Sequence, residues 1–144
     1  DGKCEADADG YPQTYTTDAS GNATIGQTCT NWVAGLPYEA SFKSAKLGQT
    51  LNEMKKIDHL GVVLANTHAR GLKVGPSLND DEMDFLPLIY QGTQVDPDRV
   101  YTEYDEEGQE FPGTWDTDSR TCLKSYAPRP ATIMATTITG EFYG

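Results

Sequence analysis

The sequence predicts an all-β domain, an antiparallel β-sandwich or barrel-like fold, on three observations. Its 144 residues include 17 threonines. Many alternate with apolar or small neighbours, and the branched Thr side chain suits the pleated surface of a strand. Apolar runs are short and are punctuated by Gly, Pro, Asn and Asp, which bounds strands rather than helices. The run Ala131-Thr132-Ile133-Met134-Ala135-Thr136-Thr137-Ile138-Thr139 is the strongest strand pattern in the chain. Hydrophobic residues make up 37% of the chain and aromatics 10%. That is too aromatic for plain disorder but predicts a thin core, spread along strands and completed by neighbouring molecules.

Taken in order, Thr14–Thr17 reads as a strand, Asp18–Asn22 as a tight turn and Ala23–Ile25 as a returning strand. Asp, Gly and Asn supply the turn chemistry. Trp32–Ala34 is a short strand leading into Gly35-Leu36-Pro37-Tyr38, where Pro37 removes a donor and biases Leu36 to extended geometry. Tyr38–Lys46 alternates polar and apolar residues and is expected to pair as a strand. Lys56–Ala65 fits a strand better than a helix because of Gly61 and the two valines that follow it. Asn66–Ala69 reads as a turn and Gly71–Pro76 as a second strand, so the two are expected to form a hairpin. Residues 77–113 hold Pro87, Pro97 and Pro112 among dense acids, and predict a long acidic loop excursion over the surface. Thr121–Tyr126 resumes as a strand, and Ala127-Pro128-Arg129-Pro130 as a rigid extended connector to the last strand. Residues 1–31 are expected to be an N-terminal arm or the end of a preceding β unit, and residues 32–144 the C-terminal β domain. The opening DGKCEADADG, without an initiator Met, is the start expected of a processed or longer chain.

The formal charge of −11 disfavours a protein that grips nucleic acid through a basic footprint. No stretch approaches the apolar length of a bilayer-crossing helix. The charge is segregated: residues 39–75 carry a net +3 and residues 76–118 a net −12. Opposed blocks of this kind are suited to docking copies of one chain against each other, although a solvated acidic surface is an equally good account.

Motifs of chemistry are sparse. Glu5-Ala6-Asp7-Ala8-Asp9-Gly10 starts like a calcium loop, but the position that needs a bidentate Glu is Thr16. A glycosidase acid pair drawn from Asp80, Asp81, Glu82, Asp84, Glu103, Asp105, Glu106, Glu107 and Glu110 requires unlike environments in a groove, and acids this dense are better read as solvated. His59, with Asp58 beside it, and His68 have no Ser or Cys in a nucleophile-elbow context. No phosphate-binding loop occurs. Cys4, Cys29 and Cys122 form no metal-binding spacing; Cys4 and Cys29 are placed to close a loop or to remain free thiols. No enzyme activity, metal or cofactor is expected.

Several ordered pieces resemble the C-terminal region of a phage family. Val33-Ala34-Gly35-Leu36-Pro37-Tyr38-Glu39-Ala40 is followed by Lys55-Lys56-Ile57, Gly61-Val62-Val63-Leu64 and Gly71-Leu72-Lys73-Val74-Gly75. After the acidic stretch come Gly113-Thr114-Trp115-Asp116, Arg120-Thr121-Cys122-Leu123-Lys124 and Pro128-Arg129-Pro130-Ala131-Thr132-Ile133-Met134. In this order, over roughly residues 15–144, they resemble the tail tubular B or nozzle proteins of short-tailed phages, also described as phage stabilisation proteins.

The resemblance implies a structural protein of the virion tail, assembled in the host cytoplasm, that forms a hexameric ring below portal and adaptor and retains and conducts DNA. Implied partners are further copies of the chain, other tail proteins such as adaptor and fibre, and passing genomic DNA bound without sequence specificity. On that reading Lys55, Lys56, Arg70 and Lys73 are expected at subunit contacts, and Asp80, Asp81, Glu82, Glu106 and Glu107 at an acidic lumen or rim. The competing expectation is a β-sandwich adhesin or carbohydrate-binding module, with Trp32, Trp115 and the eight tyrosines as stacking platforms.

Overall fold

The computed structural model describes the backbone of all residues except 1, 2, 9, 10, 27, 29–31, 49–51, 87, 88, 98 and 144, and, within that set, the side chains of all but 3–8, 11–13 and 106–108. The chain is all-β and antiparallel, with one short 3-10 turn among the described residues, at Asp80–Glu82. No helix among the described residues is long and apolar enough to cross a membrane.

β1 (Lys3–Ala8), β2 (Tyr11–Thr16) and β3 (Trp32–Gly35) form an N-terminal sheet in the order β2-β1-β3. Its strands hardly touch those of the other sheets. Because β3 pairs with β1, Trp32–Gly35 is hydrogen-bonded to the arm expected for residues 1–31. The turn at Asp18 forms as its residues predict. The Asp18 carboxylate accepts from the backbone N–H groups of Ser20 and Asn22, both at 2.9 Å, and Gly21 sits at φ 83°. No strand follows at Ala23–Ile25.

The rest is a sandwich-like pair of sheets. β4 (Glu39–Lys43), β11 (Cys122–Tyr126), β6 (Leu72–Gly75) and β7 (Asp84–Leu86) make one sheet, in that order. β10 (Val100–Glu110), β5 (Met54–His68) and β12 (Thr132–Tyr143) make the other, with β5 central. A two-stranded hairpin of β8 (Ile89–Tyr90) and β9 (Thr93–Gln94) lies beside β10. Neither sheet closes into a barrel. Leu60, Val62 and Leu64 of β5, Leu72 and Val74 of β6, Leu86, Tyr101, Tyr104 and Leu123 share one core. Residues from both sheets meet there because each contributes one apolar face.

Three expectations are corrected. β5 and β6 do not form a hairpin; they belong to different sheets. The chain crosses the sandwich at Ala69–Gly71, which lets Leu64 and Leu72 reach the same core from opposite sides. Ala127–Pro130 is a turn rather than an extended connector: Arg129 N–H donates to the Tyr126 carbonyl at 3.2 Å, and the Ala127–Pro128 bond is cis. The acidic stretch is not all loop. β10 pairs with β5 from Val100 to Glu110, and Tyr101 and Tyr104 are buried on its core side. Tyr90, Tyr101 and Tyr104 pack ring to ring at 5.2–6.2 Å between centroids, and the Tyr104 hydroxyl donates to the Ile89 carbonyl. These aromatic pairs hold the hairpin and β10 to the core.

Two glycines allow close approach to β5. A Cβ on Gly113 would lie 2.2 Å from the Ile57 carbonyl oxygen, and one on Gly140 would lie 2.3 Å from the Lys56 oxygen. Gly140 also marks a register shift, where β12 passes from His59 to Ile57.

Candidate functional site

The basic residues expected at a subunit contact have diverse fates. Lys55 is 2% exposed, and its stem packs beside Gly48 and opposite Phe142. Its ammonium donates to the Thr117 carbonyl at 3.3 Å. Around it, Lys55 and Asp116 exchange backbone hydrogen bonds at 2.9 Å, and the buried Ser119 hydroxyl donates to the Lys55 carbonyl at 2.8 Å. The long stem covers apolar surface while the charged head finds a carbonyl, which is how a lysine survives burial. It is spent inside the subunit. Lys56 is half-exposed and pairs with Asp58 at 2.7 Å; that carboxylate raises the Lys56 ammonium above its ordinary range. Arg70 is half-buried, and its carbonyl accepts from Arg129 Nη1 at 3.5 Å. Lys73 is half-buried, 4.9 Å over the Phe85 ring and 5.6 Å over the Tyr126 ring.

The expected acidic rim divides in the same way. Lys73 and Lys124 face each other directly across β6 and β11, an unfavourable like-charge pair. Asp80 offsets it. Its carboxylate accepts from the Tyr126 hydroxyl and from Lys124 at 2.9 Å, and Glu39 lies 3.6 Å from the same ammonium. The Tyr126 hydrogen bond first, and Lys124 second, hold the Asp80 carboxyl below its usual range. Burial, then the Asp80 contact, pushes the Tyr126 phenol up to about 12. Part of the charge segregation seen along the sequence is therefore neutralised within one subunit. Asp81 and Glu82 are exposed on the 3-10 turn, with Glu82 accepting from the Ser77 hydroxyl. Glu106 and Glu107 lie on β10 beside a register shift opposite Val62 and Leu60, and their side chains lie outside the described residues. Glu103, Asp105 and Glu110 on the same strand are exposed.

What sequence reasoning missed is the other edge of the same sheet. All twelve residues of β12 are exposed, although it is paired with β5 along its length. Ile133 and Ile138 stand opposite Leu64 and Leu60, so they lie on the core face, yet each is 39% exposed. Phe142, opposite Lys55, is 60% exposed. The facing sheet is open in the same place. Phe42 of β4 stands opposite the buried Leu123 and is 57% exposed. A groove of about 390 Å³ lies between β12 and the segment after β4, lined by Leu47, Lys55, Ile57, Ser119, Ile138 and Phe142. The apolar alternation that marks β12 as a strand is visible in the sequence; that none of the described residues covers it is not.

The remaining candidates form no reactive cluster. His59 is exposed and its neighbour Asp58 is engaged by Lys56. His68 is buried, with Nδ1 accepting from the Arg70 N–H at 3.1 Å. Among the described residues no group of three or more His, Cys, Asp or Glu is placed to hold a metal ion. Glu5–Ala8 lies in the extended strand β1, and the rest of the candidate calcium segment, residues 9 and 10, lies outside the described residues. A Cys4–Cys29 bond also falls outside them. Cys122 is a buried free thiol whose pKa burial pushes up.

No protein-family model matches the chain, and no curated protein matches it.

Proposed function

We propose that this chain is a structural subunit of a short-tailed phage tail, a nozzle or tail-tube component that assembles into a ring retaining and conducting DNA. The observation that carries the reading is the contrast between the two edges of the β5 sheet. One edge, β10, bears Glu103, Asp105, Glu106, Glu107 and Glu110. The other, β12, carries one charge and exposes Ile133, Met134, Ile138, Phe142 and Tyr143. A conduit must meet DNA without holding it. Carboxylates repel phosphates and release no counterions, so they leave a duplex mobile where Lys and Arg would bind it. A ring must also bury apolar strand edges between copies, which removes the edge-pairing hazard and adds stability on assembly. The resemblance in Val33–Ala40, Gly71–Gly75, Gly113–Asp116 and Pro128–Met134 supports the same reading. On it β10 faces the lumen, and no catalytic residue or cofactor takes part.

Electron cryomicroscopy of the native assembly tests it. The expected result is copies of the chain around an axis, with β10 toward the channel. Finding β10 on the outer wall overturns the luminal assignment, and finding no ring overturns the reading.

One observation favours a second reading, a glycan-binding module: Trp32, Tyr38 and Trp115 are exposed. Tyr90, Tyr101 and Tyr104 are spent on packing and offer no platform. A monomer that binds glycans, and loses them on Trp32→Ala or Trp115→Ala, supports this second reading.

A further inference from the structure

We propose that the open β12 edge is covered by the Trp32–Lys43 stretch of a second copy of this chain, edge against edge. This deepens the self-assembly part of the reading above and rests on it.

The sandwich has four strand edges: β10 and β12 on one sheet, β4 and β7 on the other. Each edge strand presents unpaired backbone donors and acceptors, which natural proteins blunt with charge or cover. β10 carries five acids, and β7 begins with the exposed Asp84. Two such edges repel each other and their own copies. β12 has only Glu141 among its twelve residues. The stretch Trp32–Lys43 has only Glu39 and Lys43, and Glu39 is engaged by Lys124 within the subunit. Lys43 on one edge and Glu141 on the other are opposite in sign, although within the subunit Glu141 stands across from Lys56 and Lys43 lies near Asp118. The neutral edges are therefore the pair that electrostatics permits to meet.

Apolar surface points to the same pair. Trp32 on β3, Leu36 and Tyr38 in the link, and Phe42 on β4 are all more than half exposed. On β12, Ile133, Ile138 and Phe142 lie on the uncovered core face, Met134 stands at a register shift and Tyr143 is the most exposed of the five. Counted over both faces of β12, since Tyr143 pairs with Met54 and lies opposite in face to Phe142, each set presents roughly several hundred Å² of apolar side chain. Together, with both faces counted, they approach the roughly 1,000 Å² that a specific interface requires. A patch of several hundred Å² is at the upper end of what a monomer leaves open, and patches of that size are often functional. Joining the two extends the β10-β5-β12 sheet into the β4 sheet of the next copy and seals the core along both open edges.

The test uses the full chain with Met134→Asp on one edge and Phe42→Asp on the other, followed by sedimentation equilibrium across a concentration series. Tyr143→Asp and Leu36→Asp repeat each arm at positions that carry no core contact, and circular dichroism checks folding. The expected result is self-association by wild type and a loss of about 30-fold or more in affinity for each variant. Mixing Met134→Asp with Phe42→Asp is expected to restore heterodimers, because one intact copy of each edge remains. Variants that fold and associate as wild type does, or a mixture that stays monomeric, overturn the interface while leaving ring assembly standing. A wild-type chain that is monomeric at every concentration overturns the interface and the assembly reading together.

Discussion

β10 and β12 flank the same central strand, in the same sheet and the same antiparallel sense, yet they solve opposite problems. β10 is closed on its core face by Tyr101, Tyr104 and the Tyr90 ring, and its outward positions carry acids. It is finished within the subunit and its edge is protected by charge. β12 has alternation good enough to pair along its full length, but its core face is left half-covered and its edge nearly uncharged. The difference teaches that strand propensity and strand burial are separate quantities. Threonine and isoleucine make β12 a strand; only a facing layer would make it core.

The comparison is broken most forcefully from the β10 side. Tyr104→Ala removes a fully buried ring and its hydroxyl contact with Ile89, and is expected to cost about 3–5 kcal/mol. Met134→Ala on β12 is expected to change monomer stability by less than about 0.5 kcal/mol. Urea midpoints of the two variants at low protein concentration check this, and equal losses would mean that β12 is as much core as β10.

Gly140→Val acts on the junction of β12 and β5. The new side chain meets the Lys56 carbonyl, so a loss of about 2 kcal/mol or more is expected, again by urea midpoint. A tolerated valine would show that the β12 register at this point is not fixed.

A third experiment converts one edge into the other. Replacing Glu103 and Asp105 with Thr removes exposed charge from β10 at little cost to folding, within about 0.5 kcal/mol. Turbidity and light scattering are expected to rise, since an unguarded edge pairs with other chains. Unchanged solubility would show that the acids do not guard this edge.

The smallest effect is electrostatic. The folded Asp80 carboxyl lies below its ordinary value of 3.8, so its stabilising contribution is fully present above that pH and is lost as pH falls through the folded value. Asp80→Asn is expected to flatten the acid limb of a stability–pH profile below about pH 4. The loss near neutrality is under about 1 kcal/mol, because the carboxylate is half-exposed. An acid limb as steep as wild type would place the titration elsewhere.

Legibility followed local periodicity. β3, β4, β11 and β12 were readable because their alternation or bounding residues are local. β10 was not: Asp105, Glu106, Glu107 and Gly108 look like loop, and Tyr101 and Tyr104 do not stand out as core until the Tyr90 ring packs on them. Lys55 reads as half of a basic pair with Lys56, and nothing nearby in sequence announces that Thr117 supplies its partner across 62 positions.

The amino-acid sequence by itself determined that this protein is all-β and antiparallel, where the Asp18 turn falls, and that its charge is segregated. These are consequences of side-chain shape, turn chemistry and composition, each felt over a few residues. Only the tertiary structure decided that β5 and β6 separate into different sheets, that Asp80 neutralises Lys124 within the subunit, and that the sandwich stands open along β4 and β12. Those outcomes depend on which faces meet across long loops, and packing between distant segments is set by the whole fold rather than by any local pattern.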